Sequence, residues 1–242
     1  MSVDSHDNIG HHRSHHFRVG FGFVVIPLIM LGVMVYFAGF HQAPPVTRNG
    51  LGMGTFVAVT IPKADSSRLD LVFTLATNRL ELLENLMSRY RPESEISRLN
   101  ALAGLDALQL SPETCEVLEH ARYFHRLSQG AFDITVGPLM AVWGFKRGQT
   151  SAELPDRNAL IAALEHVDEG RLFMSDHAAF LEDEGMEVDL GGIAKGYAVD
   201  CMVKELVEQG LTNGLVNLGG NIRVLGRPSA KLSWKVSVRN PF

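Results

Sequence analysis

Residues 188–197 read Val188-Asp189-Leu190-Gly191-Gly192-Ile193-Ala194-Lys195-Gly196-Tyr197 and combine a strand, a glycine turn and the start of a helix. The pattern of residues 186–190 predicts a strand with the acidic residue Asp189 near its end. Two glycines then open a helix that we expect to run from about Ile193 to Gln209. Backbone amides at such a helix start attract anions, and Lys195 adds a positive charge on the first turn. The stretch therefore predicts a phosphate-binding helix start.

The remainder of the chain predicts helices and strands in irregular alternation. Apolar residues recur at helical spacing from Leu69 to Met87, and further helices are predicted to begin near Ser111 and Pro155. The predicted strands are 56–61, 171–174, 215–218, 222–225 and 234–238. Because no regular βαβ repeat occurs, the sequence predicts an α+β fold with a mixed sheet and flanking helices.

Two further segments combine glycine or polar residues with a side chain that could pack on a flat ligand. In Gly52-Met53-Gly54-Thr55, the glycines allow the backbone to approach a ring while the Met53 thioether packs on it. In residues 87–100, Tyr90 follows the long predicted helix and could stack on an aromatic ring. A simple turn and a polar surface loop remain the alternatives for these two segments.

The segment Gly130–Pro138 places Asp133 within an apolar, strand-like run. A carboxylate in such a setting needs a donor or a charged partner, which a ligand or the cap of the next turn could supply. Neither G-x-x-x-x-G-K-[ST] nor G-x-G-x-x-G occurs in the chain, so the common phosphate-loop and dinucleotide motifs are excluded.

Charge and cysteine content limit the possible functions. The net charge is -5 and the pI is about 6.0, so no basic surface for nucleic acid is expected. Cys115 and Cys201 have the spacing of neither a zinc site nor a redox pair. Buried thiols are the simplest interpretation, and a single disulfide remains open.

The N-terminal residues differ in composition from the rest of the chain. Residues 1–18 are predicted to be a disordered arm that carries five of the ten histidines, with a metal-binding tail as the alternative. Residues 19–40 contain no charged side chain and are long enough to cross a bilayer as an uncleaved signal anchor. Residues 41–50 are predicted to be a linker, and residues 51–242 the folded domain. Flanking charges leave the orientation open.

Together with 215–226, these motifs resemble the ApbE family, the FAD:protein FMN transferases, from about residue 50 onwards. The resemblance implies an ApbE-like FAD-binding domain, a cytoplasmic arm and a single-pass anchor in the cytoplasmic (inner) membrane, with the domain on its periplasmic face. It also implies a set of FAD-contacting residues, which are Met53, Tyr90, Ala131, Phe132, Asp133, Asp189 and Lys195. The backbone carbonyl of Gly192 matches a ligand of Mg²⁺, a cation that prefers oxygen.

The reaction implied by the resemblance is Mg²⁺-dependent. FMN is transferred from FAD through a phosphoester bond to a threonine or serine of an acceptor protein, and AMP is released. The expected acceptors are flavoprotein subunits of Nqr-type or Rnf-type redox complexes, which carry an Asp-x-x-Ser/Thr-Gly-Ala-Ser/Thr sequence.

Compared with the family pattern, the sequence is expected to be truncated at its C-terminus. A histidine proposed as the base, together with an aspartate and a threonine or serine of the Mg²⁺ site, would follow Phe242. The catalytic residues are therefore unknown. A membrane-anchored FAD-binding protein without catalysis, or a structural protein that has lost ligand binding, are the alternatives.

Overall fold

The computed structural model describes residues 26–34, 43–145, 154–175, 177–229, 232–238 and 240. The chain divides into two units, Met1–Pro44 and Pro45–Phe242. The elements of the second unit, in chain order, are β1 Val46–Gly52, β2 Thr55–Ile61, α1 Leu69–Met87, α2 Glu95–Ala101, β3 Leu108–Gln109, α3 Pro112–Leu127, α4 Gly137–Val142, α5 Arg157–Leu164, β4 Leu172–Ser175, β5 Ala178–Leu181, α6 Ala194–Glu208, β6 Gly214–Leu218 and β7 Asn221–Leu225.

A four-stranded sheet of order β1-β2-β6-β7 is antiparallel throughout. The side chains of β2 alternate, so that Val57, Val59 and Ile61 are buried on one face. The same face receives Val216 and Leu218 from β6, which pair with Val59 and Val57. One face of this sheet is therefore committed to the hydrophobic core.

Helices α1 and α6 pack against each other and against this sheet. The predicted helical spacing of α1 is confirmed by its buried residues, which are Val72, Phe73, Ala76, Leu80, Leu83 and Met87. Helix α6 contributes a second buried face, with Ala198, Met202 and Leu206 among its innermost residues. The C-terminal end of α1 and the N-terminal end of α6 supply residues to one cleft.

A second, three-stranded sheet of order β3-β5-β4 is also antiparallel. Helix α3 begins as predicted at Ser111, whose Oγ accepts a hydrogen bond from the Thr114 N–H, with Pro112 in the first turn. Two antiparallel sheets with packed helices confirm the predicted α+β class with flanking helices. Among the described residues, one isolated bridge, Val136–Glu187, is parallel.

Two predicted strands, 186–190 and 234–238, are wrong, and the strand-like run 130–136 contains no strand. Residues 186–190 are extended but form only the isolated bridge to Val136, with hydrogen bonds from the Asp189 N–H to the Ile134 carbonyl and from the Gly137 N–H to the Glu187 carbonyl. The peptide groups of Val188 pair instead with the amide side chain of Asn100, so no ladder forms. Residues 130–136 form turns that are closed by the Asp133 side chain. Residues 234–238 alternate in polarity yet pair with no strand among the described residues.

The predicted linker 41–50 overlaps β1, which begins at Val46. Its backbone is extended, as expected for a linker, but it pairs with β2 from Val46–Ile61 to Gly52–Thr55. The polar sequence obscured the strand because most of its side chains are exposed or half-buried.

In the first unit, residues 26–34 form a helix with exposed side chains. The predicted arm 1–18 and most of the predicted membrane span 19–40 lie outside the described residues. Within the described part of the chain, no helix has both the length and the apolar character needed to cross a membrane.

Candidate functional site

A cleft of about 190 Å³ lies where the β1–β2 turn, the end of α1 and the start of α6 meet. Four residues that the sequence singled out line it together: Met53, Tyr90, Asp189 and Lys195. The other lining residues are Gly54, Glu84, Met87, Ser88, Arg89, Leu190, Gly191 and Ala194. Segments more than 100 residues apart in sequence therefore form one site.

One wall of the cleft is the two-residue turn between β1 and β2. Met53 and Gly54 have φ values of 46° and 70°, the positive values that a tight primed hairpin turn requires. A long non-glycine side chain is unusual at such a position. The Met53 N–H donates a 3.1 Å hydrogen bond to Oε2 of Glu84, whose other carboxylate oxygen lies 3.2 Å from Nη2 of Arg91. The turn is thus held against α1, and the Met53 thioether is one of the groups that line the cleft.

The ring of Tyr90 lies at another side of the cleft. It is 46% exposed, so one face of the ring is accessible. Its hydroxyl donates a 3.1 Å hydrogen bond to the carbonyl of Phe145. The Arg89 guanidinium lies 5.7 Å from the ring centroid, within the range of a cation–π contact. The ring is held at its polar end and along one side.

Below the cleft, Arg89 connects three parts of the chain. Its Nη1 donates to Oδ2 of Asp189 at 2.9 Å and to the carbonyl of Gly137 at 3.4 Å. Its Nη2 donates to Oε2 of Glu187 at 2.7 Å. Gly137 is required here, because a Cβ at this position would lie 2.5 Å from the Glu187 carbonyl oxygen.

The glycine turn before α6 is fixed by Asp189. Its Oδ1 accepts a 2.7 Å hydrogen bond from the Gly191 N–H. Lys195 Nζ lies 3.4 Å from the Gly191 carbonyl, on the first turn of α6. The N-cap residue Ile193 offers no side-chain acceptor to the helix start. The positive end of the helix dipole and the Lys195 ammonium therefore favour an anion here.

The structure places Ala131, Phe132 and Asp133 outside the lining of this cleft. Ala131 is exposed, and Phe132 lies with Gly192 and Phe124 around a second cavity of about 320 Å³. Asp133 accepts hydrogen bonds from the Thr135 N–H and hydroxyl at 2.8 and 2.6 Å, and from the Glu169 N–H at 3.1 Å. Its carboxylate thus closes a turn, the alternative that the sequence left open.

The predicted metal ligand, the Gly192 carbonyl, is not accompanied by a metal-binding cluster in the described residues. No group of three or more His, Cys, Asp or Glu side chains there could hold a metal ion. A single backbone carbonyl falls well short of the roughly six oxygens that Mg²⁺ requires. The described residues therefore do not by themselves fit a magnesium site.

Glu84 and Arg89 are cleft residues that sequence reasoning missed. Arg89 directly precedes Tyr90, but its partners Glu187 and Asp189 are about 100 positions away, so no local pattern linked them. Glu84 lay on the face of α1 that the periodicity assigned to solvent. The one available signal was three consecutive charged or polar residues, 89–91, at the end of an amphipathic helix.

The fold and cleft together define a class of protein. A thioether and a tyrosine ring can hold a flat aromatic group, while the α6 start and Lys195 can hold phosphate. This is an α+β protein with a cleft suited to an aromatic ligand that carries phosphate.

The chain belongs to the ApbE family, which it matches over residues 53–242. It is 33% identical over 226 residues to the FAD:protein FMN transferase of Vibrio cholerae, covering 88% of this chain and 65% of that relative. The enzyme of the same name from Escherichia coli is 26% identical over 228 residues, covering 88% and 64% of the two chains. The chain thus spans less than two thirds of the length of these curated relatives.

Solved structures show the same fold. The flavin transferase ApbE from Vibrio cholerae has a TM-score of 0.72 at 29% identity, covering 82% of this chain and 65% of that one. The apo flavinyl transferase ApbE from Pseudomonas stutzeri has a TM-score of 0.73 at 25% identity, covering 81% and 66%. The predicted ApbE family membership is therefore confirmed.

Proposed function

We propose that this protein is a flavin transferase that binds FAD in the cleft and transfers FMN to an acceptor protein. The observation that carries the proposal is the convergence of Met53, Tyr90, Asp189 and Lys195 on one cleft in a chain of the ApbE family. Its relatives bear the name FAD:protein FMN transferase.

In this proposal, the chain's own residues bind and orient the substrate. Met53 and Tyr90 hold a ring system of FAD, and Lys195 with the α6 start holds its diphosphate. An acceptor hydroxyl attacks the phosphorus on the FMN side, so an oxygen–phosphorus bond forms and the diphosphate bridge breaks. AMP leaves with the bridging oxygen, and the hydroxyl proton passes to a base that the described residues do not identify.

We also propose that the transfer depends on Mg²⁺, and an assay with either Mg²⁺ or a chelator tests this dependence. Bound Mg²⁺ would neutralise charge on the diphosphate. The described residues offer one predicted ligand, the Gly192 carbonyl, and no cluster of side chains that could hold the ion with it.

The acceptor and the cellular location are further parts of the proposal. We propose acceptors of the Nqr or Rnf flavoprotein type. The uncharged run 19–40 supports a membrane anchor. The ApbE family resemblance supports placing it in the cytoplasmic membrane, with the arm 1–18 in the cytoplasm and the domain 51–242 on the periplasmic side. Fusion of a reporter enzyme after residue 242, active only on one side of the membrane, tests the orientation.

The test of transfer uses the product of the gene's complete reading frame, beside the 242-residue chain, with FAD, an acceptor domain and either Mg²⁺ or a chelator. The expected result is flavin fluorescence on the denatured acceptor and release of one AMP per flavin attached. An acceptor whose target threonine is replaced by valine is the control. Absence of labelling under all conditions, with FAD still bound, would contradict the transferase proposal.

A second candidate function is FAD binding without transfer. It is favoured by the contrast between an assembled cleft and the lack of a metal-binding cluster among the described residues. FAD binding with no AMP release would support it over the transferase.

A further inference from the structure

We infer that Arg89 is a positioning residue of the cleft, an inference that rests on the proposed binding of FAD. Arg89 donates to Asp189 and Glu187 through two different nitrogens, at 2.9 and 2.7 Å. A guanidinium has the planar fork needed for two such bonds, whereas a lysine ammonium is a single point charge. Only arginine can therefore form both of these hydrogen bonds in this geometry.

Because Arg89 and Asp189 are largely buried, the ion pair between them strongly stabilises the local structure. The Arg89 side chain is 13% exposed and that of Asp189 is 10% exposed, while Glu187 is 39% exposed. Removing one member of a buried ion pair leaves the other charge without compensation, which costs far more than loss of a surface pair. Asp189 is the group that would be left uncompensated.

Arg89 acts on the ligand site through Asp189. One oxygen of Asp189 accepts from Arg89, and the other accepts from the Gly191 N–H at 2.7 Å. Both oxygens are thus used within the protein, and the side chain orients the turn that starts α6. The Asp189 carboxylate holds the turn in place.

The same guanidinium also contacts the tyrosine ring that lines the cleft. It lies 5.7 Å from the Tyr90 ring centroid, and the two residues are adjacent in sequence. One side chain therefore sets the position of the proposed ring-binding tyrosine relative to the proposed phosphate-binding turn. A ligand that joins an aromatic ring to a diphosphate needs that spacing held constant.

Charge gives Arg89 a second effect. Glu187 and Asp189 place two negative charges close to the turn where an anion is expected, and Arg89 compensates them. Without it, these carboxylates repel a diphosphate but leave a neutral flavin almost unaffected. Arg89 thus favours phosphorylated flavins over riboflavin.

The experiment compares the full wild-type chain with R89M, R89K and the control R79M. Arg79 lies on α1, the helix that ends two residues before Arg89, and pairs with Glu113 at 3.0 Å, but it does not line the cleft. Fluorescence titration measures FAD and riboflavin affinity, and hydrogen exchange without flavin measures protection of the Gly191 amide.

We expect R89M to weaken FAD binding about tenfold or more, to weaken riboflavin binding much less, and to speed Gly191 exchange. R89K should recover part of the FAD affinity, and R79M should change none of these quantities.

The outcomes separate this inference from the proposed function. Wild-type FAD affinity in R89M would overturn the positioning role, and equal losses for FAD and riboflavin would overturn the effect of charge; neither result contradicts FAD binding by the wild type. If the wild type binds no flavin, the proposed function fails, and Gly191 exchange alone decides whether Arg89 positions the turn. If R89M does not fold, R89M/D189N removes the uncompensated carboxylate; normal Gly191 protection in that variant would contradict the inference.

Discussion

The backbone N–H of Met53 donates a hydrogen bond to Oε2 of Glu84, which ties a strained hairpin turn to the end of α1. Met53 has a φ of 46°, a conformation that costs a non-glycine residue about 1–2 kcal/mol and that asparagine tolerates better. Strain of this kind is found where function requires a particular side chain.

We expect M53N to match or exceed the wild-type stability, by up to about 1 kcal/mol, because asparagine followed by glycine suits this turn. FAD affinity should fall, because the thioether is lost from the cleft. Urea unfolding and fluorescence titration measure the two effects. The matched control is H177N, which relieves a φ of 64° in the β4–β5 turn and should leave FAD affinity unchanged. Undiminished FAD affinity in M53N would remove Met53 from the binding site.

Tyr90 provides a test of ring stacking that is separate from its hydrogen bond. Y90F keeps the ring and loses only the bond to the Phe145 carbonyl, so we expect nearly normal FAD affinity. Y90A should weaken FAD binding by up to about tenfold, because stacked aromatic pairs contribute about 0.5–1.5 kcal/mol. Y123A, which removes an exposed tyrosine of α3, is the control. If Y90F and Y90A lose the same affinity, the hydroxyl and not the ring is responsible.

The fold was predictable from sequence where periodicity reports burial directly. The spacing of Leu80, Leu83 and Met87 predicted α1, and the β-branched, apolar run 56–61 predicted β2. Residues 186–190 alternate in burial, with Met186, Val188 and Leu190 buried, but they form only one isolated parallel bridge, to Val136, and no strand ladder. Alternation of apolar residues shows that one face of a segment is buried. It does not show whether another backbone or a side chain such as that of Asn100 forms the hydrogen bonds of the peptide groups.

The site was predictable only in part for a related reason. Glycines and isolated polar residues drew attention to Met53, Tyr90, Asp189 and Lys195, and these lie together. The ion pairs of Arg89 and the hydrogen bond of Glu84 depend on tertiary packing, so their residues resembled ordinary solvent-facing charges. Asp133 drew attention for its buried charge, which the structure satisfies with protein donors.

Leu83 and Leu82 are adjacent on α1 and provide a test of its packing. Leu83 is fully buried and Leu82 is 42% exposed. L83A should lower the free energy of unfolding by about 2–5 kcal/mol, because it leaves a cavity beneath the sheet. L82A should change it by no more than about 0.5 kcal/mol. Chemical unfolding of both variants measures the difference, and similar losses would mean that α1 is rotated from the described orientation.

The two thiols give a prediction about pH. Burial raises the pKa of Cys115, helped by the charges of Glu95 and Glu119. Burial also raises the pKa of Cys201, although Tyr197 and Arg79 act in the opposite direction. A raised pKa in the folded state means that the stabilising contribution is complete below the unfolded value, about 8.5, and is lost as the pH rises through the folded value.

We therefore expect the wild-type chain to lose more stability between pH 7 and pH 10 than C115S/C201S, which has no titrating thiol. Urea midpoints with a reducing agent present at both pH values measure this loss. The substitution lowers stability at every pH, so only the change with pH is compared. Equal changes in both proteins would show that the thiols titrate at their ordinary pKa in the folded state.

A substitution of Asp133 distinguishes a structural role of its carboxylate from the FAD contact that the family resemblance implies. Its oxygens already accept hydrogen bonds from Thr135 and the Glu169 N–H. D133A should lower the free energy of unfolding by about 1.5–3 kcal/mol, because hydrogen bonds to a charged acceptor are lost. FAD affinity should fall less than in Y90A. The control is D156A, which removes the cap of α5 and should cost about 1 kcal/mol without affecting FAD. A large loss of FAD affinity at unchanged stability would mean that the Asp133 carboxylate contacts the ligand directly, in an arrangement where its bonds to Thr135 and Glu169 are exchanged for bonds to FAD.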